Sequence, residues 1–229
     1  MKNLKRNPPL IDLTVFVTGA AVLTIEVTAT RILSPYFGMT LFTVSSVLSV
    51  ILAALSFGYW SGGKLVDRYP SLNTLFSTIL TGGFFTLVIH VLRNAVLPTW
   101  GTAFDMMGGP LVTSLILFFL PSFMLGMVSP IAIRLSAEKL STVGEVAGNI
   151  FFFSTMGSIA GSLATGFILI PHFPVSTIII STGVILVGMG LIGLVKTTKR
   201  TTWLTLAAAG MALHAFARNS TPARQLNLL

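Results

Sequence analysis

Two charged residues, Glu26 and Arg31, lie in the apolar stretch VLTIEVTATRILSPYFG at residues 22–38. An ionisable side chain within a membrane-spanning segment is costly and by default marks a functional site, such as a proton relay or a cation site. Residues five positions apart do not share a helix face well, so we expect no intrahelical salt bridge between them. Glu26 therefore needs another partner: water in a cavity, a polar group on another helix, a proton or a cationic ligand.

The depth of these residues follows from helix geometry. Counted from residue 11, Glu26 lies about 22 Å along the helix axis, in the outer half of a hydrocarbon core about 30 Å thick. Arg31 lies rather more than one turn further, where its side chain can reach water. A protonated or internally hydrogen-bonded structural glutamate is the alternative interpretation. We assign Glu26, Thr30 and Arg31 as candidate substrate-binding residues.

The composition indicates a membrane protein. Of the 229 residues, 53% are hydrophobic and 9% are charged, whereas a soluble domain carries about 25% charged residues. Apolar stretches long enough to cross a bilayer recur along the chain, and the alternating ten-residue segments of a transmembrane barrel do not occur. The sequence therefore predicts an all-α integral membrane protein that forms one compact bundle at residues 11–195.

Six membrane spans are predicted, and a seventh segment is marginal. The spans are about 11–35, 40–63, 72–97, 110–134, 146–170 and 174–195, after a short N-terminus at residues 1–10. The segment 202–217 would reach only about 24 Å as a helix. It lies within residues 196–229, which form a basic linker, this segment and a tail. It either spans under strain or lies along the membrane surface.

The basic residues predict the orientation of the bundle. They cluster at one end of the six spans: Lys2, Lys5, Arg6, Lys64, Arg68, Arg134, Lys139, Lys196, Lys199 and Arg200. Only Arg31 and Arg93 lie at the opposite ends. We therefore expect a protein integral to a prokaryotic cytoplasmic membrane with its N-terminus in the cytoplasm. The net charge of +8 is explained by this orientation, and nucleic-acid binding is not expected.

The segment GYWSGGKLVDRYP after the second span combines small and charged residues. We expect the glycines Gly58, Gly62 and Gly63 to allow close approach of a neighbouring helix. An acid at this junction can pair with a base at another helix end, and Arg134 is the candidate partner of Asp67. We assign Asp67, Arg68 and Arg134 as gating residues. A tight turn with ordinary boundary charges is the alternative.

The fifth span, GEVAGNIFFFSTMGSIAGSLATGFILIP, carries the small-xxx-small pair Gly157 and Gly161. Ser154, Ser158 and Ser162 form a second stripe at helical spacing. Such faces associate through close backbone approach and interhelical hydrogen bonds, so we expect this one to pack on another helix of the same chain or of a second copy. In the fourth span, Pro130 removes a backbone hydrogen bond and is expected to kink the helix before Arg134.

Several kinds of chemistry are not expected. The chain has no cysteine, which excludes disulfides and thiolate sites. The three histidines, His90, His172 and His214, share no metal-ligand spacing. We predict no metal site, no cofactor and no enzymatic activity.

Three stretches together resemble a known family. They are GAAVLTIEVTATRILSPYFGMTLFTVSSVLSVILAALSFGYWSGGKLVDR, LPSFMLGMVSPIAIRL and VGEVAGNIFFFSTMGSIAGSLATGFILIP. In order and spacing, from about residue 18 to 171, they resemble the membrane domain of fused MFS/spermidine-synthase proteins. In that family a bundle similar to half of a major facilitator transporter precedes an aminopropyltransferase-like domain.

The resemblance implies roles for particular residues. The acid and base of the family's first helix correspond to Glu26 and Arg31, and its second-helix motif corresponds to Gly62, Gly63, Asp67 and Arg68. The carboxylates and glycine-rich loop of the enzyme domain have no counterpart in these 229 residues, so the resemblance carries no catalytic residue over.

Two functions remain open at this point. One is a small transporter of a cationic or polyamine-related solute, working as a homodimer whose two copies supply the twelve helices of a complete facilitator. The other is a scaffold in the lipid bilayer that moves nothing and docks a separate aminopropyltransferase-like enzyme through its basic loops and its C-terminal tail.

Overall fold

The structure, a computed structural model, describes residues 8–100, 107–137 and 140–197. Within these ranges the chain is helical and has no β-strand. The helices are α1 (Pro8–Phe37), α2 (Leu41–Arg68), α3 (Leu72–Trp100), α4 (Gly109–Gly126), α5 (Val128–Ser136), α6 (Val143–Leu163), α7 (Ile170–His172) and α8 (Val175–Thr197). A 3₁₀ turn at Leu140–Thr142 precedes α6, and a π-helical segment, Ala164–Leu169, joins α6 to α7.

All six predicted spans are confirmed as helices long and apolar enough to cross a membrane. The fourth span consists of α4 and α5, and the fifth runs continuously from Val143 to His172. The second span is longer than predicted, because α2 continues to Arg68. Lys64, Asp67 and Arg68 therefore lie in its last turns and not in a loop. The marginal segment 202–217 lies outside the described residues.

The turn between the first two spans is determined by local chemistry. Gly38 follows α1 with a φ of 72°, a left-handed conformation that glycine adopts without steric cost. Thr40 then caps α2, because its side chain accepts a hydrogen bond from the Thr43 backbone N–H at 3.2 Å. Such a cap satisfies one of the free N–H groups at a helix start.

The fourth span is interrupted where the proline predicts. Pro130 has no N–H, so the carbonyl of Gly126 loses its helical donor. The helical hydrogen-bond pattern is interrupted at Met127, between α4 and α5, although this residue keeps helical dihedral angles and its N–H donates to the Phe123 carbonyl at 3.3 Å. Pro121 lies inside α4 without ending it. The break places the backbone of Met127 beside α2, where it takes part in the packing described below.

Three helix pairs make the most extensive contacts: α1 with α6, α2 with α4, and α3 with α8. The first and fourth spans also contact each other and form the centre of the bundle. On one side of this central pair, α3 and α8 pack on each other. On the other side, α2 and α6 make no extensive contact with each other. At one end of the bundle α5 contacts both α2 and α6. The remaining space between α2 and α6 lies beside α1 and α4.

Glycine makes the α2–α4 crossing close. A Cβ added to any of three glycines would collide with backbone of the partner helix: Gly58 with the Phe123 carbonyl, Gly62 with Met127, and Gly126 with the Leu55 carbonyl. Because lipid provides no hydrophobic drive for helix association, this close packing is what holds the two helices together.

The α1–α6 crossing repeats the same pattern residue by residue. The corresponding contacts are Gly157 with the Phe16 carbonyl, Gly161 with Ala20, and Gly19 with the Ser154 carbonyl. In each crossing, two glycines four residues apart on one helix contact two backbone positions four residues apart on the partner helix. A third glycine lies on the partner helix, three residues after the first of these positions, and contacts the backbone of the first helix. The sequence carries the same repeat, because Phe16-x-x-Gly19 matches Phe123-x-x-Gly126.

The α3–α8 pair obeys the same relation. Leu80 meets Gly190, and Leu87 meets Gly183, so the antiparallel pair is unchanged when the two helices are exchanged. The close glycine contacts thus recur when spans one and two are exchanged with spans four and five. Since spans one and four run in opposite directions, the repeat is inverted, with a pseudo-two-fold axis that runs across the helices.

Gly157→Ala should destabilise the bundle by about 1–3 kcal/mol, the usual cost of forcing a side chain into a packed interface. Gly188→Ala in α8 is the control, because a Cβ there meets nothing within 4 Å. It should change stability by no more than about 0.5 kcal/mol. Unfolding in mixed micelles measures both, and equal losses would contradict the importance of the crossing.

Candidate functional site

Polar links follow the α1–α6 crossing along its length. Asn149 Nδ2 donates to Asp12 Oδ1 at 3.4 Å, and Ser158 Oγ donates to the Gly19 carbonyl at 3.1 Å. Thr165 Oγ1 donates to Thr24 Oγ1 at 3.0 Å, and both of these threonines are buried. The crossing is therefore held by backbone contact and by hydrogen bonds at three levels.

Glu26 lies on the side of α1 that carries the contacts with α6. It is seven residues from Gly19, and Gly19 is seven from Asp12, so all three share one stripe of the helix. Ile25 and Ala29 are completely buried, whereas Glu26 is partly exposed. Within the described chain its carboxylate forms no hydrogen bond or ion pair. A carboxylate so placed can accept a proton or attract a cation.

The π-helical segment begins where the fifth span contacts Thr24, two residues before Glu26. π-Helical turns are rare and occur frequently at functional sites. Here the segment includes Thr165, the donor to Thr24. It changes the register of the span beyond the glycine crossing, so the fifth span presents different residues to α1 at the level of Glu26 than a regular α-helix would.

Thr30 and Arg31 are placed differently with respect to Glu26. Thr30 lies one turn further along the same side of α1, and its hydroxyl donates to the Val27 carbonyl at 2.9 Å. Arg31 lies about 140° around the helix from Glu26 and is exposed. The structure thus places Glu26 and Thr30 beside each other and does not place Arg31 with them.

The expected pairing of Asp67 with Arg134 is present. Arg134 Nε lies 3.4 Å from Asp67 Oδ1, and both side chains are more than half exposed. The pair joins the last turn of α2 to the last turn of α5, at the end of the bundle where α1 begins. Arg68 does not join it and lies 5.6 Å from the ring centre of Tyr69.

The predicted packing glycines separate into two groups. Gly58, Gly62, Gly157 and Gly161 lie at the helix crossings. Gly63 takes no part in them, because a Cβ there would meet nothing within 4 Å. The predicted serine stripe contributes Ser158, through its hydrogen bond to α1.

The sequence analysis did not identify two glycines and two threonines that lie at the α1–α6 and α2–α4 crossings or beside them. Gly19 and Gly126 could have been found from the Phe-x-x-Gly repeat in spans one and four. Thr24 and Thr165 carry no such signal, because buried threonines that bond only to their own helix, such as Thr86, look the same in the sequence.

Among the described residues, no group of three or more His, Cys, Asp or Glu side chains could hold a metal ion. Comparisons of the chain with family models, with curated proteins and with solved structures gave no match. The site is therefore interpreted from its own geometry.

A double-mutant cycle on Thr24→Val and Thr165→Val should give a favourable coupling of about 0.5–1.5 kcal/mol, the range measured for hydrogen bonds between membrane helices. Each single change leaves one buried hydroxyl without its partner, whereas the double change removes both. Unfolding in mixed micelles measures the four proteins. A coupling energy of zero would show that this hydrogen bond does not hold the two helices.

Proposed function

We propose that the protein is a small membrane transporter for a cationic or polyamine-related solute and that it works as a homodimer of half-major-facilitator-like bundles. The observation that carries the proposal is the carboxylate of Glu26, which is partly exposed on a central helix and has no hydrogen-bond or ion-pair partner among the described residues. An ionisable group kept at this depth is expected to serve a solute or a proton.

The inverted repeat supports the same interpretation. Many transporters consist of inverted repeats with the substrate site near the membrane midplane between them, and alternating access follows when one repeat rocks against the other. Glu26 lies on α1, in the central pair that relates the two repeats of this chain, and within about one turn of the middle of that helix.

The two glycine crossings also offer a means of gating. The Asp67–Arg134 pair lies just beyond the α2–α4 crossing at one end, and the Thr24–Thr165 hydrogen bond lies just beyond the equivalent α1–α6 crossing toward the other end. In the proposed cycle each polar link holds two helices together at one end of the bundle and breaks when that end opens. The exposed ion pair contributes only about 0–1 kcal/mol, so breaking it is compatible with a reversible gate.

The class of solute rests on charge and on the resemblance. A free carboxylate favours a cation over an anion, and the sequence resemblance implies polyamine-like molecules. Arg31, the other charge assigned to the site, is exposed on another side of α1. In this proposal it therefore lies outside the binding position and does not neutralise Glu26.

Glu26→Gln should reduce uptake of labelled polyamine by reconstituted vesicles to the level of empty vesicles, because the substitution keeps the shape of the side chain and removes its charge. Glu145→Gln is the control, since Glu145 is an exposed acid at the start of the fifth span. Uptake by the Glu26 variant equal to that of the unchanged protein would remove this residue from the mechanism.

Asp67→Arg and Arg134→Asp should each lower the rate of uptake, because each leaves two like charges at the gate. The protein with both changes should recover much of the rate, since the exchanged charges attract again. Initial uptake rates of the four proteins provide the measurement. If the double variant is no better than the single ones, the pair does not act as a latch.

The scaffold function depends on residues 196–229, of which only Lys196 and Thr197 are described. A pull-down from native membranes separates the two proposals. Capture of a soluble synthase that is lost on deletion of residues 198–229, together with no Glu26-dependent uptake, would favour the scaffold.

A further inference from the structure

The last turns of α2 carry a tryptophan and two basic residues on one side of the helix. Trp60, Lys64 and Arg68 are spaced four residues apart, so each lies beside the next. Trp60 lies opposite the α4 crossing, because it is about 200° around the helix from both Gly58 and Gly62. Trp60 is 63% exposed, and Lys64 and Arg68 are exposed as well. These three side chains, called the Trp60 cluster below, therefore face away from the bundle.

The depth of the Trp60 cluster follows from the length of α2. From Leu41, where α2 begins, to Trp60 the helix rises about 29 Å, which matches a hydrocarbon core about 30 Å thick. Tryptophan is enriched at the boundary between this core and the lipid headgroups. Lys64 lies about 6 Å further along the axis, within a headgroup layer of about 5–8 Å. The cluster thus begins at the hydrocarbon boundary and extends through the headgroups.

The side chain of Lys64 folds back toward the hydrocarbon. Its Nζ lies 3.7 Å from the centre of the Trp60 ring, which is a cation–π contact. A lysine near the end of a membrane helix ordinarily extends its ammonium group toward water. Here the positive charge is held instead at the level where the headgroups begin.

The two bases have no acidic partner among the described residues. Asp67, which lies between them in the sequence, pairs with Arg134. Arg68 is in the last turn of α2, where the helix dipole favours a cation, but Lys64 lies one turn earlier. Two cations at headgroup depth, on a surface that faces lipid, complement the charge of an anionic phosphate group.

We propose that the Trp60 cluster binds the headgroup of an anionic phospholipid. The lipid phosphate lies between Lys64 and Arg68 and accepts hydrogen bonds from both, as phosphate groups commonly do from these side chains. The Trp60 ring contacts the acyl chain next to it. A zwitterionic headgroup brings a cation of its own beside the two bases, so a headgroup with a net negative charge is favoured. This binding does not depend on the proposed transport.

Quenching of Trp60 fluorescence by brominated lipids tests the proposal. The chain has three tryptophans, and Trp100→Phe with Trp203→Phe leaves Trp60 as the only one. This protein is reconstituted in vesicles of phosphatidylcholine and phosphatidylglycerol, with bromine in the acyl chains of one lipid or of the other. The ratio of the two quenching efficiencies measures the preference at Trp60. We expect phosphatidylglycerol to be favoured about fivefold or more, the factor that one basic residue provides near an anionic surface.

Three variants of this protein show whether the two bases cause the preference. Lys64→Gln with Arg68→Gln should make the two lipids quench equally, whereas Lys64→Arg with Arg68→Lys keeps both charges and should retain the preference. Lys196→Gln is the matched control, because Lys196 is an exposed base in the last turn of α8 at the same end of the bundle. It should leave the preference unchanged. No preference in the starting protein, or equal loss in the control or in the charge-retaining variant, would overturn the proposal.

Inorganic phosphate distinguishes a lipid from a soluble anion. Added to the vesicles at the same ionic strength as a sodium chloride control, it should not change the preference, because a soluble phosphate has no acyl chain to hold it beside Trp60. Loss of the preference with phosphate but not with chloride would assign the site to a soluble anion and overturn the proposal. The Glu26→Gln uptake test is read separately and is not changed by any of these outcomes.

Discussion

Close backbone contact at glycine is the interaction on which the rest of this structure depends. In lipid, apolar helices gain nothing by leaving apolar surroundings, so they associate where small residues let main chains meet. The chain uses this contact twice in the same form, at Gly58 and Gly62 against α4 and at Gly157 and Gly161 against α1. These two crossings determine which helices are neighbours and which sides of α1 and α4 remain uncovered.

The position of Glu26 follows from the second crossing. Because the fifth span meets α1 at Phe16, Gly19 and Ala20, the next two turns of α1 lie beside the region where the fifth span becomes π-helical. Glu26 is therefore at the edge of a packed interface and not in its centre. A carboxylate in the centre would need an internal partner, and the described residues provide none for Glu26.

The inverted repeat places one polar link between helices toward each end of the bundle. The exposed Asp67–Arg134 pair and the buried Thr24–Thr165 pair each follow a glycine crossing, but they differ in polarity and in exposure. The two links thus differ in chemistry, although the helix packing beside them is equivalent.

The sequence by itself determined the six spans, the interruption of the helix before Pro130 and the proximity of Asp67 to Arg134. These features follow from the length of the apolar stretches, from a proline that lacks an N–H and from positions at helix ends, all of which can be read along the chain. The tertiary structure decided which helices pair and which residues of a stripe face inward. Gly62 is at a crossing and Gly63 is not, although they are adjacent, because one residue turns a helix by about 100°. The pattern of residues along one helix does not show on which side the neighbouring helix lies. The roles of Gly19, Thr24 and Thr165 therefore appear only when two helices are brought together.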